Sequence, residues 1–182
     1  MLADNRIEIR QGWTGDVFAI GRLVVETWQS AFRGILDDEY LDRMSPAEQA
    51  VRHMGRRSSP GVGHIVAAER QSREIVGFAN FGPARGRAPY KLHELYALYV
   101  RPDFQGKGIG ADLVRAVAQR SMETGAASLF AWVLAANPNR AFYERLGAVP
   151  TQHGMVSVGG KSYPQIAYVW NDLAVLANRG EE

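Results

Sequence analysis

The chain has 182 residues, 46% of them hydrophobic and 22% charged, and a formal charge of +2 from 21 basic and 19 acidic side chains. That length suits one domain with a proper core, and so mild a charge carries no nucleic-acid footprint. There is no cysteine, which excludes disulfides, thiolate zinc sites and cysteine nucleophiles.

The opening "MLADNRIEIR" lacks the apolar stretch of a secretory signal. The longest apolar run, "LFAWVLAA" at 129–136, falls far short of the roughly 20 residues that span a bilayer. A cytoplasmic protein with no membrane partner is expected. Basic residues gather locally at Arg52, Arg56 and Arg57 and again at Arg85, Arg87 and Lys91, which reads as a solvated face.

"RIEIRQG" alternates and predicts a first strand. From Thr14 to Phe32 the apolar residues Val17, Ile20, Leu23, Val24 and Trp28 recur at helical spacing, with Thr14 as cap. A short acidic helix follows, and "SPAEQ" opens another with a serine cap and an early proline. "HIVAAER" and "EIVGFANFG" form a hairpin across "QSR". "APYKLHELYALYV" is a longer strand stopped by Pro102. "GIGADLVRAVAQRSMETG" is a helix whose stripe is Ile109, Leu113 and Val117, closed by Gly125. The strand "ASLFAWVLA", a two-turn helix "NRAFYERLGA" and two late strands, around Val156 and "PQIAYVW", complete the chain before a frayed acidic tail. No repeat or linker interrupts this order, so the expectation is one α/β domain over 1–182, a mixed sheet with helices on its faces.

The stretch "RPDFQGKGIG" at 101–110 carries the chemistry. "GKGIGA" satisfies the dinucleotide pattern G-x-G-x-x-A, but it lies mid-chain, and the position twenty residues beyond Gly110 is Phe130 rather than an acid. A P-loop needs Ser or Thr directly after "GK", where Gly108 stands. A strand, a short glycine-rich loop and a helix N-terminus together make a different phosphate cradle, in which the N–H groups of 105–110 converge on an anion. A plain glycine-rich turn is the alternative.

"ELYALYVRPDFQGKGIGADLV" followed by "NPNRAFYERLGA" resembles the GNAT superfamily of N-acetyltransferases. Gln105, Gly108 and Gly110 match that family's Gln/Arg-x-x-Gly-x-Gly/Ala signature, and the resemblance is tight over about 94–148. It implies a GNAT-like fold, a mostly antiparallel sheet splayed between two parallel strands, with acetyl-CoA in the gap between 91–100 and 127–135. It implies a coenzyme-binding core over about 91–148. Leu98, Tyr99 and Val100 would offer main-chain groups to the pantetheine arm. Gln105, Gly106, Lys107, Gly108, Ile109 and Gly110 would take the pyrophosphate, with Lys107 or Arg140 adding charge.

Asn137 matches the family's coenzyme-contacting asparagine, with Asn139 as the alternative. Tyr143 matches the tyrosine that protonates the departing thiolate. Glu94 falls where several members carry a general base, often acting through water. Strict alternation would put Leu92, Glu94, Tyr96 and Leu98 on one face, and His93 on the other. A structural partner for an arginine is the alternative role for Glu94, and Tyr96 or Tyr99 could relay the proton instead.

The resemblance implies direct transfer of acetyl to a primary amine of a small molecule or peptide, and a homodimer is possible. Trp28 and Phe32 are candidates to line the acceptor site, with Tyr40 and the acidic set Asp37, Asp38, Glu39 and Asp42. Those acids equally suit a helix N-terminus. His53, His64, His93 and His153 lack metal-ligand spacing, so no metal is expected.

Overall fold

The computed structural model describes residues 6–86 and 91–178. Residues 88–90 of the long predicted strand, Arg87 of the basic cluster and the tail 179–182 lie outside the described residues.

Seven strands form a single sheet: β1 (Ile7–Gln11), β2 (Gly63–Glu69), β3 (Ile75–Pro83), β4 (Leu92–Val100), β5 (Ser128–Leu134), β6 (Val149–Val158) and β7 (Lys161–Trp170), in spatial order β1-β2-β3-β4-β5-β7-β6. Every pairing is antiparallel except that of β4 with β5. That one parallel pair is joined by a crossover through α4 (Ile109–Glu123), as parallel neighbours require. The expected mixed α/β architecture is present.

Two helical layers cover the sheet. On one face Ile20, Leu23 and Val24 of α1 (Val17–Phe32) pack on Val66, Phe78 and Ala97. On the other, Ile109, Leu113, Val114 and Val117 of α4 pack on Val76, Ala79, Leu95 and Leu129. β3 lies between both layers, and its residues from Ile75 to Gly82 are all buried. The periodic stripes of both helices therefore face the core, each large apolar side chain contributing about 2 kcal/mol.

Several local expectations change. Thr14 is not the helix cap: 14–16 form a 3₁₀ turn. There the Asp16 carboxylate accepts from the Trp13 N–H at 2.7 Å and pairs with Arg10 at 2.8 Å. The short helices α2 (Asp38–Asp42) and α3 (Pro46–Arg57) start as read, the latter with Ser45 accepting from the Glu48 N–H at 3.3 Å. The last two strands run ten residues each, longer than their apolar cores suggest. A final helix, α6 (Leu173–Asn178), buries Leu173 and Leu176.

At the far end, the β6–β7 turn lies on the α1–α2 region. The ring of Tyr40 sits so close to Gly159 that a Cβ there would stand 2.7 Å from it. Lys161 pairs with Asp37, whose own N–H donates to the Tyr163 hydroxyl at 3.1 Å.

Candidate active site

β4 and β5 share only three register pairs, Leu92↔Ser128, His93↔Leu129 and Glu94↔Phe130. Past them the strands part. A cavity of about 700 Å³ opens between Leu95–Val100 of β4 and Ala131–Leu134 of β5. Its walls also include Phe104, Gln105, Gly106, Gly108, Ile109 and Gly110 from the loop, and Asn137, Asn139, Phe142 and Tyr143 from the segment that forms α5 (Ala141–Arg145). Main-chain groups at such a parting lack the neighbouring strand that would satisfy them, so a ligand with amide groups fits there.

The loop holds its glycines for two different reasons. Gly106 and Gly108 have φ of 74° and 84°, left-handed values that favour glycine. A Cβ at either would meet nothing within 4 Å, so the space above them is open. Gly110 instead needs closeness: a Cβ there would lie 3.2 Å from the Phe142 ring. Gly108 is the N-cap of α4 and offers no side chain to its N–H groups. The first turn of a fifteen-residue helix thus presents free donors and a positive dipole end to open space, which suits a pyrophosphate.

The polar side chains of this end divide into those aimed at the cavity and those spent elsewhere. The Gln105 amide donates to the Val100 carbonyl at 2.9 Å and pins the loop to the strand end. Lys107 turns back, donating to the Asp103 carbonyl at 2.9 Å over the Phe104 ring, and does not line the cavity. Arg140 lines a separate small cleft with Ala135 and Glu144. Arg145, which the sequence reading missed, is on the main cavity wall. Asn137 and Asn139 both reach that wall, and the Asn137 side-chain oxygen accepts from the Asn139 N–H at 2.8 Å.

Tyr143 is stacked on Tyr168 with ring centres 5.5 Å apart and edged by Phe142 at 5.2 Å. Tyr168 in turn donates to Glu144 at 3.2 Å, and Trp170 donates to the Leu146 carbonyl at 3.1 Å, which fixes α5 on the sheet. Burial pushes the Tyr143 phenol well above its ordinary value, so it stays protonated at neutral pH. A protonated hydroxyl held by aromatic stacking at a cavity wall can donate a proton to a developing anion.

Glu94 does not reach the cavity. It is 2% exposed, and its carboxylate accepts from the Arg85 main-chain N–H at 3.1 Å and from the Arg85 guanidinium at 3.0 Å. Arg85 lines the wall in its place. The partner-of-an-arginine role is thus the one the geometry favours for this side chain.

Strict alternation along β4 also fails. The β3–β4 register passes from Asn80↔Ala97 to Phe81↔Leu95, leaving Tyr96 as a bulge. His93 and Leu95 consequently share the α4 face with Leu98 and Val100, His93 meeting Ser121 at 3.1 Å. Ala97 and Tyr99 pack against the α1 layer. Glu94 and Leu98, expected on one face, are separated by this bulge.

At the opposite end Trp28 and Phe32 both line the cavity, ring centres 5.5 Å apart in an edge-to-face pair. The acidic set is occupied structurally. Asp37 caps α2 through the Tyr40 N–H at 3.0 Å, Asp38 accepts from the Gly34 N–H, Asp42 pairs with Arg33 at 2.7 Å and Glu39 with Arg43 at 3.2 Å. Two members of the basic cluster are not a solvated face, since Arg56 and Arg57 are half-buried, while Arg85 is exposed and pairs with the buried Glu94. Among the described residues no group of acids and histidines could hold a metal ion, and no helix is long and apolar enough to cross a membrane.

With the splayed strands, the glycine cradle and the tyrosine in place, known proteins can be compared. The profile of the acetyltransferase (GNAT) family matches residues 22–148. The chain belongs to that family of acyltransferases. A relative, the uncharacterized N-acetyltransferase YuaI of Bacillus subtilis, is 26% identical over 170 residues, spanning 93% of this chain and 96% of YuaI. The thialysine N-epsilon-acetyltransferase of Bos taurus is 28% identical over 153 residues, 78% of this chain and 84% of that enzyme. Among solved structures, YncA of Salmonella typhimurium with its cofactor acetyl-CoA superposes with a TM-score of 0.70 at 20% identity, covering 92% of this chain and 94% of that one.

Proposed function

We propose that this protein transfers the acetyl group of acetyl-CoA directly to a primary amine of a small molecule. The supporting observation is the single cavity wall that joins open main chain on β4, the left-handed glycine loop at the α4 N-terminus and the Tyr143 hydroxyl. Family membership and the thialysine acetyltransferase likeness favour the same reading.

The open edge at Leu98–Val100 holds the pantetheine amides, and the N–H groups of 105–110 hold the pyrophosphate, with Asn137 or Asn139 beside them. Arg145 is better placed than Lys107 or Arg140 to add charge, since it is on the cavity wall. The thioester supplies the acetyl group and a thiolate leaving group. A carbon–nitrogen bond forms as the carbon–sulfur bond breaks. The Tyr143 hydroxyl gives its proton to the thiolate and regains one from solvent, while the amine loses its proton to water.

The amine must be neutral before it can attack, since alkylammonium groups are cationic at pH 7. Water in the cavity, rather than a dedicated carboxylate, takes that proton, because Glu94 is already paired with Arg85. Glu94 then acts as a positioning residue that holds Arg85 against the wall.

The experiment is a pair of measurements: melting temperature with acetyl-CoA or NADPH, and thiol release with a panel of amines. Stabilisation by acetyl-CoA alone, with amine-dependent thiol release, is expected. Stabilisation without release on any amine would favour a non-catalytic acyl-CoA-binding module, and stabilisation by NADPH alone would favour a dinucleotide enzyme.

A further inference from the structure

At the end of the cavity opposite the glycine loop, α1, β5 and β6 meet in an apolar corner. Trp28, Ala31 and Phe32 of α1, Leu134 of β5 and Val158 of β6 belong to one packed cluster, and all five line the wall. Trp28 and Phe32 form its aromatic side. Side chains of this kind cannot replace the hydration of an ion, so a charge buried among them needs a counter-ion close by.

The cavity offers no free one. Among the described lining residues there is no aspartate or glutamate, and the charged side chains are Arg85 and Arg145. Arg85 gives its Nε and Nη2 to Glu94, so that pair is neutral as a whole. Arg145 belongs to α5, two residues after Tyr143. The acids at and around α2 are held by Lys161, Arg33 and Arg43, and none of them lines the cavity. A second ammonium or a carboxylate carried by the acceptor would therefore enter the corner unpaired.

Two hydrogen-bonding groups here do lack a partner. Thr27 is 6% exposed with its hydroxyl unpaired, and the buried Trp28 indole nitrogen is unpaired as well. The Trp28 N–H lies toward the Tyr99 phenol without closing a hydrogen bond. Both residues line the cavity. An indole nitrogen only donates and a hydroxyl can donate too, so an acceptor atom suits both. In so apolar a setting a neutral oxygen fits better than an oxyanion, whose desolvation nothing here offsets.

We propose that the acceptor is an arylalkyl monoamine with an otherwise uncharged body, whose ring lies against Trp28 and Phe32 and whose ring oxygen, an ether or a phenol, accepts from Trp28 or Thr27. Thr27 and Trp28 are then specificity-determining residues. Free amino acids and polyamines are poor acceptors because of the second charge that they bring. This rests on the acetyltransferase reading of the same cavity.

The test measures kcat/KM by thiol release at saturating acetyl-CoA for phenethylamine, its para-methoxy derivative, phenylalanine, pentylamine and cadaverine. Wild type, Thr27→Val, Trp28→Phe and the double variant are compared, with coenzyme A binding to each followed by calorimetry. Phenethylamine should exceed phenylalanine, and pentylamine cadaverine, by about tenfold or more. The methoxy oxygen should add about fivefold in wild type. Each single variant should reduce that advantage and the double variant should abolish it. Thr27→Val keeps the side-chain shape and removes an unpartnered hydroxyl, and every comparison is a ratio of two acceptors on one variant, so partial loss of fold does not obscure the result. Phenylalanine or cadaverine used as well as its uncharged counterpart would overturn the proposal. So would a methoxy advantage absent from wild type or undiminished in the double variant. In those cases turnover of some amine leaves the acetyltransferase reading standing, whereas turnover of none removes both.

Discussion

Arg85 covers Glu94. The buried carboxylate accepts from that residue's main-chain N–H at 3.1 Å and its guanidinium at 3.0 Å, and it is the arginine that meets the cavity. The pair is lopsided, with side chains 63% and 2% exposed, so its two members should respond differently to replacement. Arg85→Ala leaves an unpaired anion in the interior and should cost about 3 kcal/mol of stability. Glu94→Gln leaves a cation that water can reach and should cost clearly less. Denaturant unfolding of the two variants measures the difference.

Glu94→Gln also separates positioning from proton abstraction. A positioning role predicts a raised acceptor KM, a kcat lowered by less than about tenfold, and a pH–rate profile of unchanged shape. Loss of the acidic limb at unchanged acceptor KM would return Glu94 to the role of general base.

Tyr143→Phe removes a hydroxyl that has no hydrogen-bond partner among the described residues and leaves the stacked ring in place. Stability and coenzyme affinity should hardly change, while kcat falls by about a hundredfold. Turnover within twofold of wild type would rule out this phenol as the proton donor.

Gly108→Asp places a negative charge where the space above the loop is open, at φ of 84°. Gly108→Asn carries the same backbone strain of about 1 kcal/mol without the charge. Coenzyme A affinity should fall by a factor of about 100 or more in the aspartate variant and by much less in the asparagine variant. Equal affinities in the two variants would show that no phosphate lies over that glycine.

His53 and His64 predict an acid-sensitive fold. They lie 6.4 Å apart against Phe78, each with a buried ring nitrogen lacking a partner. Burial, reinforced by Arg52, Arg56 and Arg57, lowers both to about 4 from an ordinary 6.5. Between those values the unfolded chain binds protons that the folded chain refuses. Their stabilising contribution is therefore complete above pH 6.5 and is lost as the pH falls toward 4. The slope reaches at most about 1.4 kcal/mol per pH unit for each residue. Unfolding curves at pH 7.5, 6 and 5 should show this loss, and His53→Leu should flatten it.

Much of the fold was legible in the residues. The stripes of α1 and α4, the Gly125 stop and the hairpin over 63–83 all follow from spacing and turn chemistry. The loop at 105–110 was legible because three alternating glycines between a strand and a helix have few uses. β6 was hard to see: it is an edge strand with mostly exposed residues, so no apolar alternation announces its length. The six-residue α6 has too few turns for a periodicity to show.

Within the site, "LHELYALYV" reads equally well with or without a bulge, so the turnover of faces at Tyr96 had no sequence signal. Arg85 and Glu94 meet because β3 and β4 pair and bring the chain just past β3 back over β4, a contact that depends on how the connecting loop runs. Arg145 belongs to a helix whose other members carried the family likeness, and its polarity alone did not distinguish it from Arg140.

Among the described residues, β4 and β5 join the two halves of the sheet through three register pairs, with the Lys91 carbonyl accepting from the Ala127 N–H just before them. The two halves part like the pages of a book beyond that short spine, with α4 packed across them and the β6–β7 turn resting on the α1–α2 region. A coenzyme lying between the pages would be a missing strand as much as a reactant. Its arrival should slow amide exchange along residues 95–100 and 131–134 together.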